Sequence, residues 1–368
     1  MSRFSNLGHR LYQGEISFDF VGRRKLWYSI SGVIVLVAAV GLAMGLKLGI
    51  EFKGGSVYTV AKPGLTISQA QDAVDKIIHS HPLVQEVDNG KKIRIQVSSE
   101  EQVSSSVFTD KLSKEIGVPV AEIDTQVIGP SWGEQISNKA LTGLIIFMIL
   151  VTVYLAIAFE WRMAVAALVA LIHDLLITIG VYALVGFEVT PGTVIGFLTI
   201  LGYSLYDTVV VFDTVKENAK GLTKQNKITY SEAANAGLNQ TLVRSLNTTV
   251  VALLPVAALL FIGGGLLGAG TLNDISLALF IGLAAGAYSS ICVATPLLAQ
   301  LKEEQPEMKA LAKRVAQRRA AEAKAAAAAA EAPEGEEIAD GDLPAGMVGQ
   351  RGRAAGTARA KGRPSTKH

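Results

Sequence analysis

The sequence predicts an α-helical polytopic membrane protein with six transmembrane helices and one extracytoplasmic α+β domain between helices 1 and 2. Of its 368 residues, 50% are hydrophobic and 18% are charged, and the apolar residues form long blocks instead of periodic stripes. Six blocks are long enough to cross about 30 Å of hydrocarbon as helices. They are residues 27–46, 141–159, 163–185, 191–215, 242–262 and 272–298.

Basic residues in the short connections predict the orientation, because Lys and Arg mark the cytoplasmic side. They occur before the first helix, after the second and fourth helices, and in the tail, whereas residues 186–191 and 263–274 contain none. We therefore expect a multi-pass protein of the cytoplasmic membrane with both termini in the cytoplasm. The predicted parts are a cytoplasmic arm (1–26), helix 1 as an uncleaved anchor (27–46), an extracytoplasmic domain (47–138), helices 2–6 (139–300) and a cytoplasmic tail (301–368).

The segment after the first helix has the pattern of a small folded domain. Alternating apolar residues predict strands, and apolar residues at helical spacing predict two helices. Asp88-Asn89-Gly90 indicates a hairpin turn, while Thr66 and the pair Ser99 and Gln102 are typical of helix N-caps. The order βαββαβ predicts a ferredoxin-like domain, a fold that names no function by itself. The predicted strands are 57–60, 83–87, 93–97 and 118–128, and the predicted helices are 66–80 and 99–116.

The tail after the last apolar block is expected to have two parts. Residues 303–330 are rich in Ala, Lys, Arg and Glu and favour a helix, whereas residues 331–368 have the composition of a disordered segment. A solubilising role is favoured for its basic end over binding of anionic lipid or ribosomal RNA. No nucleic-acid partner is expected.

Asp207 is the most informative residue, because it lies inside an apolar segment that should cross the membrane. A carboxylate there costs several kcal/mol unless it is paired, hydrated or protonated. The next apolar block carries Arg244, and at about 1.5 Å per residue the two side chains have the same depth to within a turn. Two interpretations remain open: a pair that binds and releases a proton, or a static ion pair that holds two helices together.

Other polar residues in the predicted helices have weaker assignments. His173 and Asp174 lie midway through the third helix, where they would extend a proton route or face a partner helix, although adjacent residues point in different directions. Asp213 is either a hydrated carboxylate or a proton port near the cytoplasmic end. Hydrogen bonding between helices is favoured for a group of hydroxyl and amide residues in the fifth helix. They are Ser245, Asn247, Thr248 and Thr249.

Known catalytic and ligand-binding motifs are absent from the sequence. It contains no nucleotide-binding loop, HExxH, Cys/His cluster or Gly-x-Ser-x-Gly, so we expect no enzyme, no metal site and no cofactor. The single cysteine, Cys292, is expected to pack in the last helix. Gly54 and Gly55 are expected to form a tight turn where the chain leaves the membrane. Because the sequence has no nucleotide-binding loop, an ion gradient is the expected energy source.

Three segments together resemble the SecF family, the smaller partner in the SecD–SecF pair that assists protein export. They are the stretch from Gly49 to Gly55 with Glu51, Phe52 and Gly54, and residues 202–218 and 239–249. The likeness runs from about Arg23 to Gln300, and chain length with a single outside domain favours SecF over SecD. It implies the fold of the resistance-nodulation-division superfamily, a place in the bacterial inner membrane, and roles for the residues at 207 and 244 in proton-driven movement.

The sequence departs from the family pattern at three positions. Glu51 stands where the family usually has Asp, and it keeps the charge. Tyr206 stands where Asn is frequent, and Thr214 where Arg is usual. The last two substitutions alter the expected surroundings of Asp207 and Asp213.

The resemblance also implies the partners and the mechanism. SecD is the expected partner, the SecYEG channel and SecA-driven polypeptides form the working context, and YidC and YajC are further candidates. Protonation of Asp207 would cancel its attraction to Arg244 and let two helices separate, moving the outside domain. A small-molecule exporter of the resistance-nodulation-division type and a purely structural scaffold are the alternatives.

Overall fold

The computed structural model describes residues 17–62, 64–78, 82–87, 92–98, 104–266 and 270–331. Helix α1 (Arg24–Met44) leads into an α+β domain. Its elements are β1 (Lys47–Leu48), α2 (Ile50–Lys53), β2 (Gly55–Val60), α3 (Ile67–Asp75), β3 (Leu83–Val87), β4 (Lys92–Ser98), α4 (Ser105–Ile116) and β5 (Ile123–Ile128).

A second group of long helices follows this domain. Its elements are α5 (Pro130–Ala158), α6 (Trp161–Val185), β6 (Glu188–Val189), α7 (Pro191–Asn218), α8 (Tyr230–Ala258), α9 (Gly270–Ser289), α10 (Thr295–Glu303) and α11 (Pro306–Glu331). A π-helical segment, Leu259–Leu266, extends α8, and another, Ser290–Ala294, joins α9 to α10. Among the described residues, six helical stretches are long and apolar enough to cross a membrane. The predicted six-helix membrane fold is confirmed.

The α+β domain contains the predicted order of strands and helices. Four strands pair antiparallel in the order β3-β4-β2-β5. Alternate residues such as Tyr58 and Ile95 bury their side chains with Val74 of α3 and Phe108 of α4, so both helices cover one face of the sheet. Thr66 caps α3 in a capping box with Gln69, as predicted. The predicted turn at 88–90 and the capping pair at 99 and 102 lie outside the described residues.

Small residues let α7 pack closely on α9 and α6 pack closely on α1. A Cβ atom on Gly282 of α9 would lie 2.2 Å from Ile200 of α7, and one on Gly180 of α6 would lie 2.2 Å from Ala38 of α1. Such contacts are the usual basis of helix association in membranes, where no hydrophobic force drives helices together. The central helices are therefore the ones that can bury polar groups.

Two helices start well before the apolar stretches predicted from residues 141 and 242. Helix α5 begins at Pro130, because its first turns pack against the domain through Gly133. Helix α8 begins after Thr229, which caps it in a capping box with Glu232. Apolar runs alone miss these turns because they are amphipathic and contact protein. The predicted domain boundary at 138 consequently falls inside α5.

The turn between α1 and β2 joins the domain to the helical bundle. Strand β1 pairs in parallel with β6, and the Gly49 N–H donates to the Val189 carbonyl at 2.9 Å. Gly54 has a φ of 78°, and a Cβ atom on Gly55 would lie 2.3 Å from the Val97 carbonyl oxygen. The predicted glycine turn is thus present, and it also contacts the connection between α6 and α7.

Charged groups tie the helices together at the opposite end of the bundle. Glu303 of α10 accepts a hydrogen bond from Arg24 of α1 at 2.7 Å and another from Ser231 of α8. Lys302 pairs with Glu160, the residue before α6. Four elements of the bundle are therefore linked at this end.

The described residues up to Arg318 belong to one compact unit, and those from Arg319 to Glu331 belong to a second. The described residues of the second unit, 319–331, belong to α11, which confirms a helix in the first part of the tail. The N-terminal arm up to residue 16 and the tail from 332 onward, with its predicted disorder, lie outside the described residues.

Two glycines of α5 give a matched test of the contact between α5 and the turn. A Cβ atom on Gly133 would lie 2.3 Å from the Phe52 carbonyl oxygen, whereas one on Gly143 would meet nothing within 4 Å. Gly133→Ala should therefore lower stability by about 2 kcal/mol because the backbone must shift. Gly143→Ala should be neutral or stabilise by up to about 1 kcal/mol through helix propensity. Thermal unfolding in detergent measures both; equal effects would contradict the contact.

Candidate functional site

The carboxyl group of Asp207 is buried where three helical segments meet. Asp207 lies on α7 and is 5% exposed. Ser245 of α8 donates to Oδ1 at 2.7 Å, and Ser290 of the π-helical segment donates to Oδ2. Each carboxyl oxygen therefore has a hydroxyl partner from a different helix. Ser245 bonds between helices, as the sequence predicted.

Arg244 has the predicted depth but not the predicted partner. The Asp207–Ser245 bond places Arg244 within one residue of the level of Asp207 on antiparallel helices. The Arg244 side chain is exposed on the outer face of α8, and among the described residues no ion pair joins it to Asp207. The predicted pair is not formed in this structure, because successive residues of a helix point about 100° apart and Ser245 takes the inward position.

Asp174 is brought into the same region through α7. Its side chain is fully buried, and Ser204 of α7 donates to its Oδ2. Ser204 precedes Asp207 by one turn on the buried face of α7. Asp174 is thus hydrogen-bonded to α7 one turn before Asp207, and its place in a proton pathway stays a prediction.

His173 is buried beside Asp174, although the two residues are adjacent in the chain. His173 is 6% exposed, and its Nδ1 lies 3.4 Å from Oδ1 of Asp174. Its ring lies 6.0 Å from that of Tyr288 on α9, and its Nε2 atom has no hydrogen-bond partner. Adjacent residues can both be buried here because α6 contacts α1 as well as α7 and α9.

Asp213 stands apart from this buried group. It is exposed near the end of α7. Of the two unusual neighbours, Tyr206 is 54% exposed on the outer face, and Thr214 donates to the Val210 carbonyl of its own helix at 3.3 Å. The departures from the family pattern therefore change the outer surface of α7 more than the surroundings of the Asp207 carboxyl.

A second acidic group lies at the turn between the domain and the bundle. Thr190 donates to Oδ2 of Asp274 at 2.9 Å. The pKa of Glu188 is raised to about 7, mainly by burial and also by the nearby Glu51 and Asp274 carboxylates, against smaller opposite effects of two cations. Those cations are Arg94 and Lys47. A polar cavity of about 530 Å³ borders Glu188 and Asp274 on the side of the sheet.

Two family profiles match this chain. The profile described as protein export membrane protein SecD/SecF, C-terminal, matches residues 108–304, and the SecD/SecF GG motif matches residues 41–61. The first covers more than half of the chain. This chain belongs to the SecD/SecF family of protein-export membrane proteins.

Curated members of the SecD/SecF family show the same relationship over most of the chain. The chain is 56% identical to the protein translocase subunit SecF of Streptomyces coelicolor, across 100% of both sequences. It is 41% identical to the SecF subunit of Mycobacterium tuberculosis, covering 86% of this chain and 75% of the relative. The predicted membership of the SecF branch is confirmed.

Solved SecDF structures share the fold. The crystal structure of SecDF from Thermus thermophilus, a translocon-associated membrane protein, superposes with a TM-score of 0.66 at 28% identity, covering 78% of this chain and 39% of that one. SecDF in a super-membrane-facing form gives a TM-score of 0.58. The present chain thus spans about two fifths of the length of SecDF.

Asp207, Asp174 and Ser245 were predicted from the sequence, whereas the other two serine partners were not. Ser204 and Ser290 were missed because serine is frequent in membrane helices, and nothing in the local sequence marks Ser204. One signal was available: Ser289-Ser290 interrupts the apolar run of the last helix, at the start of the π-helical segment. Such segments are frequent at functional sites.

Adjacent serines allow a matched test of the Asp207 contacts. Ser290→Ala removes a hydroxyl from the buried carboxyl and should lower stability by about 1–3 kcal/mol. Ser289→Ala should cost less, because this fully buried hydroxyl donates to the Gly286 carbonyl of its own helix. Thermal unfolding of the two variants in detergent measures the difference. A larger loss in the Ser289 variant would contradict the assigned contact.

Glu188 gives a prediction for the pH dependence of stability. Its pKa is raised from 4.5 to about 7, so the folded state binds more protons than the unfolded state between these values, and stability falls as pH rises through them. Glu188→Gln should remove this fall and give a variant that is more stable than the parent at pH 8 but not at pH 4. The exposed Glu122→Gln is the control; melting temperatures at several pH values would show parallel curves if Glu188 were not responsible.

Proposed function

We propose that this chain acts with a SecD partner in protein export, and that protonation of Asp207 drives a change in helix packing that moves the α+β domain. The domain would then hold and release a polypeptide during late steps of translocation. The observation that carries this proposal is the burial of Asp207 among hydroxyl groups from two other helical segments. A buried carboxyl without a fixed counter-ion is suited to gaining and losing a proton.

Protonation would change the hydrogen bonds that join these helices. An ionised Asp207 accepts from both Ser245 and Ser290, whereas a protonated carboxyl must donate from one oxygen. Ser290 has an alternative acceptor in the Ala287 carbonyl at 3.3 Å. Its hydroxyl can therefore donate to that carbonyl and accept a hydrogen bond from the protonated Asp207 carboxyl. The hydrogen bond between α7 and the π-helical segment is then weaker than with an ionised carboxylate. The bundle would therefore have two states, one for each protonation state of Asp207.

The exposure of Arg244 supports the presence of a partner protein on the outer face of α8. An arginine directed toward lipid is costly at this depth, and polar residues accompany it on the same face. Gln240 and Asn247, about one turn to either side, are also exposed. We infer that the membrane helices of SecD cover this face and that Arg244 acts through them, which replaces the predicted direct pair with Asp207.

The basic residues in the connections between helices support the proposed location of the chain. The connection between α7 and α8 contains Lys220, Lys224 and Lys227, whereas the connection between α6 and α7 lacks basic residues. This supports a cytoplasmic position for the first connection and an extracytoplasmic one for the domain. The chain would serve the SecYEG channel and SecA-driven polypeptides in the cytoplasmic membrane. It would catalyse no reaction, and the proton-motive force would supply the energy.

Two aspartates of α7 provide the test. In vesicles that contain this chain, SecD and the export channel, Asp207→Asn should abolish the part of export that depends on an imposed proton gradient, with assembly intact. Asp213→Asn should retain at least half of it, because Asp213 is exposed. Export is measured under imposed proton and sodium gradients separately. Unchanged proton-driven export in the Asp207 variant would refute the proposal, and dependence on sodium alone would refute its choice of ion.

A further inference from the structure

Helix α11 packs on the end of the helical bundle beside the connection between α7 and α8 (residues 219–229). Its Leu311 and Val315 side chains are almost fully buried. They belong to the same core as Leu222 of the connection and Tyr230, the first residue of α8. The part of α11 up to Arg318 is therefore a fixed element of the bundle.

Two arginines attach α11 to this connection. Arg314 donates to the Thr223 carbonyl at 2.9 Å, and Arg318 donates to Oδ1 of Asn226 at 3.1 Å. Beside these bonds lies a surface groove of about 660 Å³. It is lined by Thr223, Glu307, Ala310, Lys313, Arg314 and Gln317. A packed helix and a hydrogen-bonded loop thus form the two walls of the groove.

Positive charge predominates around the groove. Lys313 and Arg314 are exposed in its helical wall, and Glu307 is the carboxylate among its lining residues. The connection adds three exposed lysines, which are Lys220, Lys224 and Lys227. Among the described residues, no ion pair engages Lys224 or Lys313. A concave surface with this excess of cations attracts an anionic ligand.

The level of the groove is that of the lipid headgroups. The membrane helices α5 and α6 are joined only by Phe159 and Glu160, so this link lies at the edge of the hydrocarbon. Trp161 is 61% exposed and has the Arg162 guanidinium 4.4 Å from its ring centroid, as is typical of the membrane interface. The Lys216 ammonium group, near the end of α7, lies 5.7 Å from the Phe159 ring centroid. The connection after α7 therefore begins at the membrane surface.

We propose that this groove binds the phosphate group of an anionic phospholipid from the surrounding membrane. Lys313 supplies an ammonium group, and Arg314 supplies the guanidinium N–H groups that the Thr223 carbonyl does not use. The membrane presents anionic headgroups at high local concentration beside the groove, which favours lipid over a soluble polyanion. A bound headgroup would join α11 to the α7–α8 connection. This binding would occur whether or not Asp207 carries protons.

The test is lipid binding to the full chain in a neutral detergent, measured by native mass spectrometry. Phosphatidylglycerol should bind at least about tenfold more tightly than phosphatidylcholine with the same acyl chains, because two cations face its net negative charge. Lys313→Gln should weaken phosphatidylglycerol binding about fivefold, the usual effect of one cation near an anionic headgroup. Lys313→Arg keeps the charge and should retain the affinity of the parent.

Lys25→Gln is the matched control, because Lys25 is exposed at the start of α1, at the same end of the bundle but outside the groove. It should leave the tightest phosphatidylglycerol site unchanged. The melting temperature of Lys313→Gln without lipid should equal that of the parent, which shows that the fold is intact. Equal affinity for the two lipids, or equal losses in the Lys25 and Lys313 variants, would overturn the proposal. Displacement of the lipid by an equal concentration of inorganic phosphate or of an RNA oligonucleotide would overturn the choice of ligand.

Discussion

The need to satisfy polar groups without water determines how this bundle is built. Lipid offers no hydrogen bonds, so Asp174 and Asp207 must find their partners on neighbouring helices. Serine provides them at little cost in volume: Ser204 serves Asp174, and Ser245 and Ser290 serve Asp207. Small side chains also let the helices approach closely. Close packing through glycine and polar satisfaction through serine therefore occur within the same bundle of helices.

The sequence predicted the parts of the structure that depend on apolar pattern and turn chemistry. Six membrane helices, the four strands and the Thr66 cap follow from residues that are close together in the chain. The starts of α5 and α8 could not be predicted in this way, because amphipathic turns are stabilised by contacts with distant residues such as Phe52. Membership of the SecD/SecF family was readable for a different reason, namely that its motifs are long and contiguous.

The candidate site was predicted less completely, and the reason is geometric. Depth along a helix follows from counting residues, so Asp207 and Arg244 were correctly placed at one level. Direction around a helix depends on which neighbours surround it, and here Ser245 points inward while Arg244 is exposed. His173 shows the same limitation in the opposite sense. Both it and Asp174 are buried because α6 is enclosed on more than one side.

The parallel pairing of β1 with β6 has a mechanical consequence. The α+β domain is connected covalently to α1 and α5, and this pairing adds a third attachment next to the start of α7. A domain with one attachment can rotate freely, whereas a domain with three attachments can change its orientation only when those attachments shift relative to one another. Under the proposed function, a displacement of α7 would therefore reach the domain through the short β1–β6 pairing.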